Sequence, residues 1–355
     1  MVANATHGRI PGTAFDRACT NYPELDPDNK DMPGLRLSYS TINAFMACPR
    51  KFEMDRILSC QLPMREERNL TLASGTAMHS AWQEYMRTRN RSLAIYKLME
   101  KFDYQAEREA KAYQKERFIE NCLITLDEII RFYDSRPHLQ VAMIDGRPAI
   151  ETNFRFNLTC TKLNIWYGGF VDVMMYDTRY GTFEPHDLKN HRDDKTNPLK
   201  YRHSLQLVPY GFIAQLMQSA ADFDPRGGKT IAHDIVSFNT HYTLAYLDLI
   251  EPRAEPLEFL RGQSDLRAWA SQTELVVRMI EEFASKGEFP RYGKSCIDWG
   301  RNCFLADKCE IEQLRTRREA FTPMNPDALE ERRQDNLQDH SRHDLILTID
   351  FSGLT

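Results

Sequence analysis

Long apolar runs are missing from this 355-residue chain, and none approaches the roughly 20 residues a helix needs to cross a bilayer. The opening stretch, MVANATHGRIPGTAFDRACT, lacks the apolar core of a secretion signal, so the expectation is an intracellular, cytoplasmic protein. Positive charge is not in excess either. A formal net charge of -5 excludes a uniformly basic protein that coats nucleic acid, while it permits a local positive groove. Eight cysteines are too few for a disulfide scaffold in a chain of this length. The sequence holds no GxxxxGK[ST] loop, so ATP-driven unwinding would need a partner. It also holds no zinc finger, recognition-helix or RNA-binding signature, and no internal repeat.

What is present is ordinary globular material, 42% apolar and 27% charged, enough for a sizeable core. Residues 1–36 mix prolines, glycines and acids without a period and read as an irregular arm. Order begins near Leu37, where Ser40 offers a helix cap ahead of Ile42, Phe45 and Met46, and Pro49 starts a second helix after Cys48. SGTAMHSAWQEYMRTR reads as a helix opening after Gly75, with Met78, Trp82 and Tyr85 or Met86 as its apolar stripe and His79 beside it. Residues 103–134 read as one long helix, with Leu126, Ile129, Ile130 and Tyr133 on one side.

The period then changes. AIETNFRFNL, NIWYGGFVDVMMYD and GTFEPHDLKNH are rich in aromatic and β-branched residues and predict a meander of three strands, with a turn around 177–181. YRHSLQLVPYGFIAQLMQ returns to a helix that Pro209 bends or starts, and IAHDIVSFNT predicts another strand. The last strong helix buries Leu275, Val276, Met279, Ile280 and Phe283. Beyond Cys309 the tail, 311–355, is polar and closes on a short apolar LILTIDF.

Asp187 and Lys189 stand two apart on one strand, so alternation points both to the same face. Three cysteines, Cys296, Cys303 and Cys309, crowd within SCIDWGRNCFLADKC. The order helix, three strands, helix, strand, helix and the marks SYSTINAFMACPRKF, GTAMH, GGFVDVMMYD, HDLK and QLVPY together resemble the PD-(D/E)XK nuclease superfamily. Within it the closest likeness is to the branch of RecB-type domains and CRISPR-adaptation nucleases that carry an iron–sulfur cluster. The resemblance covers roughly residues 37–310. It implies an α/β, restriction-endonuclease-like core over 148–285, a central mixed sheet flanked by helices, a helical region over 76–135 and an iron–sulfur staple.

The resemblance further implies that Asp172, Asp187, His79 and the backbone carbonyl of Leu188 bind Mg²⁺ or Mn²⁺. Hard divalent cations prefer oxygen donors and keep exchangeable waters, which suits two carboxylates beside a scissile phosphate. Lys189 would orient or help deprotonate the attacking water and offset phosphate charge. Gln206 and Tyr210, four apart and so on one helical face, match the family's Q-x-x-x-Y motif, which positions the DNA strand and the lysine. Glu151 is a further acid near the site.

Cys48 joins Cys296, Cys303 and Cys309 as the implied ligands of a 4Fe-4S cluster, with Zn²⁺ as the chemical rival for a Cys₄ site. Six residues separate Cys296 from Cys303, where the family has two. Lys189, Arg192, Lys195, Lys200 and Arg202, with Arg50 and Lys51, would contact DNA phosphates without reading sequence. The expectation is a metal-dependent DNA exonuclease of recombination, repair or phage replication, working with a helicase or recombinase. The alternatives are an endonuclease, a CRISPR-adaptation subunit and a non-catalytic DNA-binding scaffold. Intact Asp172, Asp187, Lys189 and His79 weigh against the scaffold.

Overall fold

The computed structural model of the chain describes residues 10–30, 32, 34–58, 70–110, 117–144, 146–191, 198–219, 237–247, 251–292, 296–298, 301–303, 305, 309–310, 344–349 and 351. In chain order they form α1 (Ala14–Asn21), β1 (Leu35–Leu37), α2 (Tyr39–Ala47), α3 (Pro49–Phe52), α4 (Leu70–Thr88), α5 (Arg91–Lys101), α6 (Tyr104–Arg108) and α7 (Ile119–Asp134). There follow β2 (Leu139–Val141), β3 (Met143–Ile144), β4 (Arg147–Pro148), β5 (Ile150–Leu158), β6 (Ile165–Asp177) and β7 (Thr182–His191). The last elements are α8 (Leu199–Arg202), α9 (Val208–Ser219), β8 (Ser237–Tyr246), β9 (Arg253–Gly262), α10 (Gln263–Lys286), β10 (Ile297–Asp298), β11 (Arg301–Asn302) and β12 (Leu345–Ile349).

The central sheet is mixed, in the order β12-β5-β6-β7-β8-β9, and β1 and β2 both lie alongside β6. Strands β5, β6 and β7 form the expected antiparallel meander. Its second turn falls at 177–181, where the Asp177 carboxylate accepts the Arg179 N–H at 2.8 Å and Gly181 takes φ +66, a left-handed conformation that favours glycine. β8 pairs parallel to β7, so the chain must cross over between them, and α9 packs on both strands as part of that crossover. Helices cover both faces. Phe154, Phe156, Tyr167 and Val171 pack against Phe212 of α9 and Trp269 and Val277 of α10. On the other face Val173, Met175 and Leu188 pack against Met78 and Trp82 of α4 and Leu126 and Ile130 of α7.

One property of β6 prepares the site. Along one edge it pairs with β5 and then β2; along the other it pairs with β1 through Tyr167 and with β7 only from Val173 onward. Among the described residues, 168–172 therefore have no strand partner on that second edge, and Asp172 and Asp187 are the next residue on each strand after the final Val173–His186 pair. The sheet opens where the acids stand.

Several expectations are corrected. The arm proposed for 1–36 holds α1, which docks on α10, and β1, which joins the sheet; buried Ala18, Tyr22, Leu25, Leu35 and Leu37 supply the apolar surface that orders it. Ser38, not Ser40, caps α2, through a capping box with Thr41. α4 begins by Leu70, so Gly75 lies inside the helix rather than before it. The long helix expected over 103–134 is divided into α6 and α7, and residues 111–116 lie outside the described set. β9 was not foreseen. Leu275 is exposed while Val277 takes its place in the buried face of α10. The apolar end of the tail is β12, parallel to β5, and not an appendage. No helix among the described residues is long and apolar enough to cross a membrane.

Candidate active site

The acids and the lysine reach their places by strand parity. Leu188 turns into the α4–α7 cluster, so its neighbours Asp187 and Lys189 turn to the opposite face, toward α9 and β8. Lys189 Nζ lies 2.7 Å from Asp187 Oδ2 and 3.0 Å from Oδ1, with the Asp187 side chain almost wholly buried. Asp172 Oδ2 is 3.5 Å from His79 Nδ1, and the backbone carbonyl of Leu188 lies close enough to act on the imidazole. Gly75, one turn earlier on α4, has Asn190 of β7 as its nearest neighbour, so the helix runs close past the strand end. His79, Asp172, Asp187, the Leu188 carbonyl and Lys189 thus converge at the opening between β6 and β7.

The electrostatics of the group are those of crowded anions. Burial, then the charge of nearby Asp187, pushes the Asp172 carboxyl well above its usual range. Burial acts to lower Lys189, but its pairing with Asp187 and the charge of Asp172 outweigh that and raise it, so it stays an ammonium. Burial lowers His79, only partly offset by Asp187, so its imidazole favours the neutral form. Asp172 Oδ2 is shielded from solvent and accepts no hydrogen bond. Two carboxylates, one with an oxygen left without a donor, a neutral imidazole and a carbonyl make a donor set that fits Mg²⁺ or Mn²⁺.

Glu151 joins them. By register it stands across from Asp172, between the Ile150–Val173 and Thr152–Val171 pairs. It is one of two non-glycine residues with positive φ among those described, at +52, a strain of order 1–2 kcal/mol. Gln83 of α4 hydrogen-bonds its carboxylate, and burial raises its pKa above the ordinary range. Tyr210 opens α9 with its ring edge-on to Phe154 and its hydroxyl within the field of Asp187 and Asp172; burial pushes that phenol well up.

Other predicted residues fall elsewhere. Gln206 precedes α9 rather than sharing its face with Tyr210, because Pro209 favours the first turn of a helix; its backbone N–H donates to Ser204 Oγ at 3.2 Å. Arg50 is buried, its guanidinium 3.1 Å from Glu53. Lys200 and Arg202 are exposed on α8, whereas Arg192 and Lys195 lie outside the described residues. Cys48 is buried, Cys296 exposed, and Cys303 and Cys309 half-buried. The Cys48 and Cys296 thiols act on Cys309, whose pKa burial raises, so the expected ligands share a neighbourhood. The structure nonetheless brings no three cysteine sulfurs within common reach of one ion among the described residues. Cys303 N–H bonds the Cys296 carbonyl beside the β10–β11 hairpin, and Cys48 lies at the α2–α3 junction.

Two neighbours of Asp187 escaped sequence reasoning. Tyr242 of β8 is its partner in register, and Tyr201 of α8 lies within its field; burial raises both phenols. Only the parallel register of β8 on β7 brings Tyr242 there. A search of the curated proteins finds no match to the chain. A family model described as the PD-(D/E)XK nuclease superfamily matches residues 36–310. That span holds the opened sheet, both acids, Lys189 and His79, and nucleases of this kind use divalent metal ions on DNA. By fold, by site and by this match over most of its length, the chain belongs to the PD-(D/E)XK nuclease superfamily.

Proposed function

We propose that this protein is a Mg²⁺- or Mn²⁺-dependent deoxyribonuclease that works from DNA ends, an exonuclease of recombination, repair or phage DNA processing. The observation that carries the metal-dependent reading is the meeting of His79, Asp172, Asp187 and Lys189 at the parting of β6 and β7, with Asp172 Oδ2 lacking any donor. Asp172, Asp187, His79 and the Leu188 carbonyl would hold the ion. When bound it supplies a lowered water pKa and a Lewis acid for the phosphate oxygen. Lys189, kept cationic by Asp187, offsets charge that builds on the phosphate and orients the attacking water. That protonation state favours an electrostatic role over that of proton acceptor. Glu151, held by Gln83, adds a further acid beside Asp172, and Tyr210 positions the DNA strand near Lys189.

The preference for ends rests on the RecB-type likeness of the sequence marks, and so do a helicase, recombinase or CRISPR-adaptation partner. Exposed Lys200 and Arg202 beside Tyr201 supply phosphate contacts. A 4Fe-4S cluster on Cys48, Cys296, Cys303 and Cys309 is supported by the shared neighbourhood of three of these thiols, and iron and zinc analysis of anoxically purified protein separates it from Zn²⁺. The function is tested with end-labelled single- and double-stranded DNA and closed circles, in Mg²⁺, Mn²⁺ or chelator, beside Asp172→Ala and Lys189→Ala. Metal-dependent release of end nucleotides, with circles untouched, is expected. Equal cutting of circles would replace the exonuclease by an endonuclease, and equal activity of the wild type and both variants would remove the site from the reaction.

A further inference from the structure

On the face of β7 opposite Asp187 and Lys189 lies a second convergence of ligating groups. Glu184 and His186 of β7 point to the α7 side, and His241 of β8 is the register partner of His186. One potential ligand atom from each of the three lies within 4.8 Å of the others. Glu184 and His186 are only 3% and 1% exposed, a depth at which an imidazole and a carboxylate need a stated reason to be present.

Hydrogen bonds from neighbouring side chains fix how these groups are turned. The Tyr133 hydroxyl of α7 hydrogen-bonds His186 Nδ1 at 3.0 Å, which leaves Nε2 as the outward nitrogen, and that Nε2 is buried with no partner. Glu184 Oε1 accepts from Asn239 Nδ2 at 3.1 Å and from Thr182 Oγ1 at 3.3 Å, so the carboxylate is held with Oε2 toward His241. Imidazole and carboxylate groups are side chains that metals bind. His241 retains some exposure, and its partner across β9 is exposed Glu258, so the group has a path to solvent.

We propose that Glu184, His186 and His241 bind one divalent ion of the imidazole-preferring class, Zn²⁺ foremost, which fastens β7 to β8 behind the catalytic face. Two imidazoles and a carboxylate suit that class better than Mg²⁺. His241 Nε2 sits 2.6 Å from Glu184 Oε2 and its ring stacks on His186 with centroids 4.3 Å apart. Ligands at about 2.0–2.1 Å on a tetrahedral Zn²⁺ lie roughly 3.3 Å apart, so a modest turn of the His241 ring away from Glu184 makes room for the ion.

The test uses the full chain. Crystals of the unmutated protein grown with Zn²⁺ are expected to show an anomalous peak at the zinc edge bounded by these three side chains. In solution, Co²⁺ titration of Asp172→Asn, which disables the catalytic site, is expected to keep one equivalent with a visible spectrum free of thiolate charge-transfer bands, so that cysteine sites are distinguished. That equivalent should vanish in Asp172→Asn combined with His241→Gln or with Glu184→Gln. No peak at the three residues, or the same Co²⁺ stoichiometry and spectrum with and without His241→Gln, overturns the proposal. Nuclease activity is not the readout, so either result is independent of the reaction proposed above.

Discussion

At the scale of single residues, the site is built from groups that disfavour one another until a cation arrives. Asp172 is buried beside Asp187 and its carboxyl is pushed up, so ionising it costs folded-state stability. Asp172→Asn is accordingly expected to melt a few degrees above the wild type in chelator, while its nuclease rate falls by about 10²-fold or more; thermal melts and a single-turnover assay check the two halves. The sign with pH follows from the same shift. An acid whose folded pKa lies above its unfolded value loses stability as pH rises through that range, so the wild type in chelator should be destabilised as pH rises above the ordinary carboxylate range, and Asp172→Asn should not show that component. Metal and proton compete for this carboxylate, so the acid limb of the rate–pH profile should move to lower pH as Mn²⁺ is raised. An acid limb that stays fixed with Mn²⁺ would separate Asp172 from metal binding. The spacing of Asp187 and Lys189 made their common face legible, because alternation is local. Glu151 stands near the site by virtue of a positive φ and a strand register that no local pattern encodes.

At the scale of elements, the crossover from β7 through α9 to β8 decides where Tyr210 and Tyr242 arrive. Its tightest contact is at Gly211 of α9, where an added Cβ would come within 1.9 Å of the buried ring of Phe238. Gly211→Ala should therefore cost about 1–3 kcal/mol, read from denaturant unfolding, because the buried ring or the helix must shift to admit the methyl group. The meander and the apolar stripes of α4 and α7 were readable from period alone, since Met78, Trp82, Leu126, Ile129 and Tyr133 recur at helical spacing and all are buried. β9 was not: it runs through Pro256 and alternates half-buried with exposed side chains at the sheet edge, where the apolar signal is weak. Gln206 was placed on a helix because Q-x-x-x-Y has helical spacing, but Pro209 sets the start of α9 at Val208.

At the scale of the whole molecule, the two ends of the chain complete the core. β12 covers the outer edge of β5 and buries Leu345, Leu347, Ile349 and nearby Phe351. Each such side chain contributes about 1.5–3 kcal/mol, a sum comparable with the whole net stability of a domain, so a chain ending at residue 343 should aggregate or melt far below the full-length protein, as light scattering and calorimetry would show. α1 does the same for α10 from the other terminus, with Asn21 donating to the carbonyls of Ala284 at 2.9 Å and Ser285 at 3.3 Å. By itself the sequence determined the meander, the turn at 177–181, the shared face of Asp187 and Lys189 and the kinship that the marks from residue 37 to 310 announce, because these depend on neighbours a few residues apart. Tertiary structure alone decided that β6 and β7 part at the two acids, that the terminal segments close the core, that Cys48 comes into the neighbourhood of Cys296 and Cys309 and that Glu184, His186 and His241 meet behind the site. Those outcomes depend on which strands pair and in what register, and pairing is settled by burial summed over the whole chain.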